Sequence, residues 1–294
     1  METSPMSSPC PGLFCLHDGS VPKATMNALA LACERFEIDF WPLDAAQLNS
    51  WHLAPLPTGS LLYTPAVSAQ AERIEARLWG PGVASVFGLS HGPLRQVVSP
   101  PAAFALAGVA TPRAVLVSDT TPAALAEMAD AVGGLPAVLR FPGYSGGRGI
   151  VRVDSMPGLI SAAQHAAAHG ALPELVHYVP NAVCWRVVVI DGAVAGVTRG
   201  RLPEGDFRTV ESPDADDYMA HAPPAVEEAA IAATRALEVL AAGVDVLEPD
   251  DSGALVLEAN TPFYFGHLEA HGLRVAEALV SALLRQASMA DATA

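Results

Sequence analysis

Two stretches of this chain have little alternative to an antiparallel hairpin: CWRVVVIDGAVAGVTRGR (184–201) and GVDVLEPDDSGALVLEAN (243–260). In each, Val- and Leu-rich runs flank a turn signal, Asp191-Gly192 in the first and DDSG (250–253) in the second. A two-residue Asp-Gly loop sets Arg186 opposite Val197 and Arg199 opposite Cys184. That register sends Arg186 and Arg199 out of one face, with Arg201 continuing the row and Arg208 following in GDFRT. Clustered guanidiniums grip phosphate or carboxylate through forked hydrogen bonds, and pairing with local acids is the plainer reading of the same residues. A four-residue loop at DDSG sets Asp245 opposite Glu258, and Asn260 shares the face of Glu258. Two carboxylates and an amide oxygen are hard ligands of the kind Mg²⁺ takes, completing its shell from phosphate and water. An ordinary solvated hairpin face is the alternative. Acids set among Leu and Val on a buried strand are costly unless paired or bound to metal, which favours the ion.

The first hundred residues read differently. Short apolar runs (GLFCLH, 12–17; Ile38–Trp41; SLLYT, 60–64; Val83–Phe87) alternate with helical patterns at Lys23–Phe36 and Ala69–Leu78. Such alternation predicts a largely parallel sheet with helices on its faces, ending where Pro100 and Pro101 break the chain. A second unit follows, with strands at AVLVS (114–118), AVLRF (137–141), VRV (151–153) and Glu174–Val179, and helices at Thr121–Val132 and Gly158–His169. Between two of its strands, GYSGGRGI (143–150) packs four glycines into seven residues. Successive N–H groups of such a loop can turn toward one phosphate without Cβ interference, although a plain hairpin turn has the same composition. The last unit holds the two hairpins, a helix at Ala225–Ala242 between them and a terminal helix at Leu273–Gln286.

Composition narrows the classes. A length of 294 residues with 51% hydrophobic and 16% charged residues excludes disorder. Acids outnumber bases 31 to 16, so the surface repels nucleic-acid backbones. Lys23 is the only lysine, which leaves cation chemistry to arginine. No apolar run approaches the roughly 18 residues of a membrane span. METSPMSSPCPG does not read as a signal peptide, and four scattered cysteines fit reduced thiols in a cytoplasmic protein. The nine histidines give no argument for a zinc site; Tyr264 and His267 are weaker pocket candidates.

Taken in this order, AVLRFPGYSGGRGI, ELVHYVP, CWRVVVIDG with RGRLPEGDFRT, and GVDVLE…LVLEAN with PFYFGHLE resemble the ATP-grasp superfamily, in particular its RimK-like carboxylate–amine ligases, over about Gly108–Leu283. The resemblance implies an α/β ATP-grasp fold: a pre-ATP-grasp α/β domain (1–100), a central lid subdomain (101–180) and a C-terminal α+β subdomain (181–294). It implies ATP held by Arg140, by Ser145, Gly146, Gly147 and Gly149 of the loop, and by Val176, His177 and Val179 of the adenine-side hinge. It implies Mg²⁺, with Mn²⁺ as a substitute, on Asp245, Glu258 and Asn260, and catalytic roles for Arg186, Arg199 and Arg208. Departures are visible. Arg140 stands where the family carries lysine, and Arg95 is the nearest cation to a second basic slot around Val97–Ser99. Val176 and His177 replace an amide and an acid, Cys184 an acid, and Val210 an asparagine. The expected activity is ADP-forming amide synthesis through an acyl phosphate, joining small-molecule carboxylate and amine substrates, first of all free amino acids. A ligase acting on a ribosomal peptide or protein and a catalytically weak nucleotide-binding module are the alternatives. Neither nucleic acid nor membrane is an expected partner, and a homodimer is the expected assembly.

Overall fold

The computed structural model describes residues 12–87, 92–93, 99–141, 148–208, 214–250 and 253–291. Three sheets follow one another along the chain. The first comprises β1 (Gly12–His17), β2 (Asp39–Asp44), β3 (Leu61–Tyr63) and β4 (Ala84–Ser85), in the order β2-β1-β3-β4 and parallel throughout. Its crossovers run through α1 (Lys23–Arg35) and α2 (Ala69–Leu78), whose first turn is capped by the Ser68 hydroxyl. This is the parallel sheet that the alternating pattern calls for. Pro100 and Pro101, expected to break the chain, instead open a helix, α3 (Pro100–Ala107). Proline in a first turn gives up only an N–H that has no partner in a helix, so it starts helices as readily as it stops them.

The second sheet has the order β5-β8-β6-β7, from β5 (Ala114–Leu116), β6 (Ala137–Arg140), β7 (Ile150–Val153) and β8 (Glu174–His177), antiparallel at every pairing. One face packs Ala137, Leu139, Val153 and Leu175 against α4 (Pro122–Val132) and α5 (Met156–Ala168). Thr121 caps α4 and Gly133 ends it in the left-handed region at φ 104°, as TPAALAEMADAVGG specifies. The opposite face carries Val138, Arg140, Arg152, Glu174 and Val176, paired across strands by the register.

The third sheet, ordered β11-β10-β9-β12-β13, contains both hairpins: β9 (Val183–Ile190) with β10 (Ala193–Arg199), and β12 (Ala241–Glu248) with β13 (Leu255–Asn260). The short β11 (Tyr218–Met219) forms its edge. The helix between the hairpins, α6 (Pro224–Ala236), stops well short of the expected Ala242. Glu238 turns the chain at φ 53°, and the apolar residues beyond are the start of β12. An Ala-rich run buried on both sides carries no period, so its composition could not separate helix from strand. On one face of the sheet, Trp185, Val187, Val197, Val244 and Val246 pack on α6 and Phe104. On the other, Val188, Ile190 and Ala241 join the core of the first sheet through α7 (Gly266–Ala270) and α8 (Val275–Asp291). Leu279, Val280 and Leu283 of α8 are fully buried beside Leu13 and Leu29, each contributing about 1.5–3 kcal/mol relative to exposure. The C-terminal helix therefore ties the first sheet to the third. No helix among the described residues is long and apolar enough to cross a membrane.

Candidate functional site

Three adjacent strands line up three charged side chains. Asp245 on β12 is paired with Arg186 on β9 to one side and with Glu258 on β13 to the other, so all three project from one face. Arg186 Nη1 donates to Asp245 Oδ1 at 2.9 Å. Gly243 makes the close approach possible: a Cβ there would meet the Arg186 guanidinium at 2.7 Å. Asn260 continues the row and donates from Nδ2 to Glu258 Oε1 at 2.7 Å.

Burial pushes the Asp245 carboxyl up to about 6; Arg186 opposes the rise, and the neighbouring Glu258 carboxylate adds to it. Two carboxylates in mutual contact, one of them reluctant to ionise, form a donor set that a dication relieves. Among the described residues no three His, Cys, Asp or Glu side chains gather as a metal cluster. The two carboxylates and the Asn260 amide oxygen are the hard donors here that could hold Mg²⁺, with phosphate and water completing the shell.

The arginine hairpin corrects an expectation. Its turn is as read, with Asp191 at φ 51° and Gly192 at φ 75°. A bulge between Val194 and Gly196 then shifts the register, so Arg186 lies opposite Thr198 and Arg199 opposite Trp185. One extra residue inverts the parity, and Arg186 and Arg199 leave opposite faces of the sheet. Arg199 Nε instead donates to Asp217 Oδ1 at 2.7 Å, and Arg201 Nε to Asp217 Oδ2 at 2.6 Å. Asp217 is fully buried, so the two guanidiniums neutralise a carboxylate that water does not reach. Sequence reading missed Asp217, which stands in a polar, turn-like stretch with no pattern to single it out. Arg208 is held by Asp206, its Nη2 donating to Oδ2 at 2.7 Å. Hydrogen bonds from Arg208 keep the Asp206 carboxyl well below the usual range.

On the second sheet, Arg140 lies opposite Glu174 on the open face, its Nη1 3.8 Å from the carboxylate. Gly149 takes φ 68° and its carbonyl accepts from Phe141 N–H at 2.8 Å. Ser145, Gly146 and Gly147 lie outside the described residues, as do Arg95, Val97 and Val210. Val176 faces the open side with Val138 and Arg152. His177 points the other way, its Nδ1 buried beside Gly133 and its N–H donating to the Arg113 carbonyl at 2.8 Å. Val179 follows the end of β8, half-buried. Tyr264 comes within 3.5 Å of Ser20 Oγ, and the His267 ring lies 6.0 Å from Tyr218.

Two His-x3-His pairs, His165/His169 and His267/His271, stand at helix ends. In both, Nδ1 of the second histidine meets the carbonyl of the first at 2.8 Å, which closes the end of α5 and of α7.

A family model for the RimK-like ATP-grasp domain matches residues 107–283. The chain belongs to this family. Among curated relatives, this RimK-like chain is 29% identical over 157 residues to a probable alpha-L-glutamate ligase 2 of Shewanella amazonensis, covering 52% of each protein. It is 30% identical over 166 residues to a ribosomal protein bS6–L-glutamate ligase of Escherichia coli, covering 55% of each. The chain thus spans about half the length of the curated relatives it matches. Solved structures extend the likeness to nearly the whole chain. D-cycloserine synthetase superposes with a TM-score of 0.70 at 18% identity, covering 94% of this chain and all of that one. The ATP-grasp ligase PsnB, solved with a minimal precursor, Mg and ADP, gives 0.69 at 15%, covering 97% and 100%. The fold is the ATP-grasp fold.

Proposed function

We propose that this RimK-like chain is an ADP-forming carboxylate–amine ligase. The observation that carries the reading is the row Arg186–Asp245–Glu258–Asn260 on one sheet face. Arg140, on the open face of the second sheet, supplies the cation for ATP phosphates, and the glycine-rich segment that ends at Gly149 supplies backbone donors. Asp245, Glu258 and Asn260 would hold Mg²⁺, or Mn²⁺ in its place, which neutralises charge on the phosphates. A substrate carboxylate oxygen attacks the γ-phosphorus, ADP leaves, and an acyl phosphate forms. An amine nitrogen then attacks the acyl carbon, phosphate leaves, and the ammonium proton passes to solvent or a base. Arg186 is placed to steady the anionic oxygens of the acyl phosphate or of an acceptor carboxylate. Arg199 and Arg201 are occupied by Asp217, which leaves them a supporting role; Arg208 stays within the reading as a loop cation.

Free amino acids are the first substrates in this reading. Transfer onto a peptide or protein is the second, favoured by the similarity to a ligase named for ribosomal protein bS6. Buried thiols at Cys15 and Cys33 fit a reducing, cytoplasmic setting, and a homodimer is the expected assembly. The test is ADP release with ATP and Mg²⁺ or Mn²⁺, screening amino acids singly, in pairs and against a peptide library. Release that needs both a dication and a carboxylate substrate supports the ligase. Nucleotide binding with no substrate-dependent ADP leaves only a binding module.

A further inference from the structure

Arg152, on β7, lies over the Tyr178 ring with Cζ 4.5 Å from its centroid. Its guanidinium is fixed from behind by Asp154, with Nε donating to Oδ1 at 2.8 Å and Nη2 2.7 Å from the same oxygen. Tyr178 follows the last residue of β8, where the second sheet meets the third. Its ring meets Phe207 nearly edge-on, at 6.4 Å between centroids and 77° between planes. The Arg208 guanidinium stands 6.0 Å from the Phe207 ring and is fixed by Asp206. The result is one column: cation, ring, ring, cation, each arginine clamped by an acid two residues away. It starts on an edge strand of the second sheet, crosses the junction and ends on the loop after the arginine hairpin.

We infer that Tyr178 is a positioning residue that couples the second sheet to the 204–208 loop, so that nucleotide closing the sheet down also orders Arg208. The inference rests on the proposed nucleotide site for its second half only. The first half is mechanical. Arg152 and Phe207 both lie against one ring, and no hydrogen bond of the tyrosine hydroxyl is needed for either contact. The loop carries its own reporters, the amides of Phe207 and Arg208, which donate to Asp206 Oδ1 at 2.7 and 3.0 Å.

Hydrogen exchange of the full chain tests both halves, with Tyr178→Ala, Tyr178→Phe and Arg152→Ala. Without nucleotide, Tyr178→Ala should speed exchange across 204–208 by roughly tenfold while β12 stays at the wild-type rate. Arg152→Ala should act the same way more weakly, and Tyr178→Phe should match wild type. With Mg²⁺ and a non-hydrolysable ATP analogue, wild type should slow both 150–153 and 204–208; Tyr178→Ala should slow the first alone, with analogue affinity changed less than about threefold. A Tyr178→Ala protein that keeps wild-type exchange at 204–208 overturns the coupling. So does one in which β12 speeds up equally, because the effect is then global unfolding. If wild type binds no analogue, the ligase reading fails, and the measurements without nucleotide still decide whether the column couples sheet to loop.

Discussion

The two hairpins of the third sheet are built alike and behave oppositely. They contribute the neighbouring strands β9 and β12, each carries one bulge, and each presents acids or arginines near the end away from its turn. In β12/β13 the bulge lies on the turn side of Asp245, and the register beyond it brings Asp245, Glu258 and Asn260 onto a common face. In β9/β10 the bulge falls between the turn and Arg199, and it parts Arg199 from Arg186. A bulge thus decides from which face of the sheet a charged side chain projects. Arg186 and Arg199 differ less in chemistry than in which side of the sheet one extra residue leaves them on. Each meets an aspartate, but half-buried Asp245 shares its arginine with a second carboxylate, whereas fully buried Asp217 has two arginines.

The sharpest way to break this contrast is Glu258→Gln. The amide keeps the shape and removes one charge from the pair facing Asp245. Dication-dependent ADP formation should fall by at least about a hundredfold. Thermal unfolding should stay the same or move up, because the carboxylate repulsion at Asp245 is relieved. A variant that melts normally and turns over near the wild-type rate removes Glu258 from the site.

The next test sets the two arginines against each other. Arg186→Ala should lower kcat/KM by about 2–4 kcal/mol of transition-state stabilisation, with a smaller cost in stability. Arg199→Ala should show the reverse. It leaves buried Asp217 with one guanidinium fewer, which should cost about 1–3 kcal/mol of stability, read as a lower urea midpoint, while turnover per folded molecule holds within a few-fold. Equal losses of turnover from both would mean that the face assignment has no functional content. Gly243→Ala sharpens the same point at one remove. Its methyl would press on the Arg186 guanidinium, so it should reproduce part of the Arg186 loss without touching Arg199.

What the sequence discloses follows from the same geometry. Asp245 opposite Glu258 is legible, yet by two errors that cancel: pairs nearer the turn sit one residue off the register of a four-residue loop, and the bulge restores it before the acids are reached. In the arginine hairpin the turn is read correctly and the bulge alone is missed, so the conclusion about Arg199 fails. Turns announce themselves through Asp-Gly and DDSG because they require particular backbone angles. Ala195 in AVAGV carries no such requirement, and nothing marks the bulge there. The parallel first sheet is legible because its strands and helices differ in period, whereas the end of α6 and the start of β12 share an apolar, Ala-rich composition and do not.

The smallest effect expected is in pH. Burial and the Glu258 carboxylate raise Asp245 to about 6 against the attraction of Arg186, while the unfolded chain ionises it near the ordinary 3.8. Between those values the folded protein binds more protons than the unfolded one, so stability from this group falls as pH rises from about 4 to 6 and stays lost above. A dication needs the carboxylate and should act in the opposite sense, adding little to the melting temperature below pH 5 and progressively more as pH passes 6. The measurement is thermal unfolding from pH 4.5 to 7.5 with and without Mg²⁺, on wild type and on Asp245→Asn. The difference between the two wild-type curves should open with rising pH, and in Asp245→Asn it should stay flat and small. If the curves run parallel in wild type, the ion does not bind at Asp245. Asp245 would then be a structural partner of Arg186, as Asp217 is of Arg199.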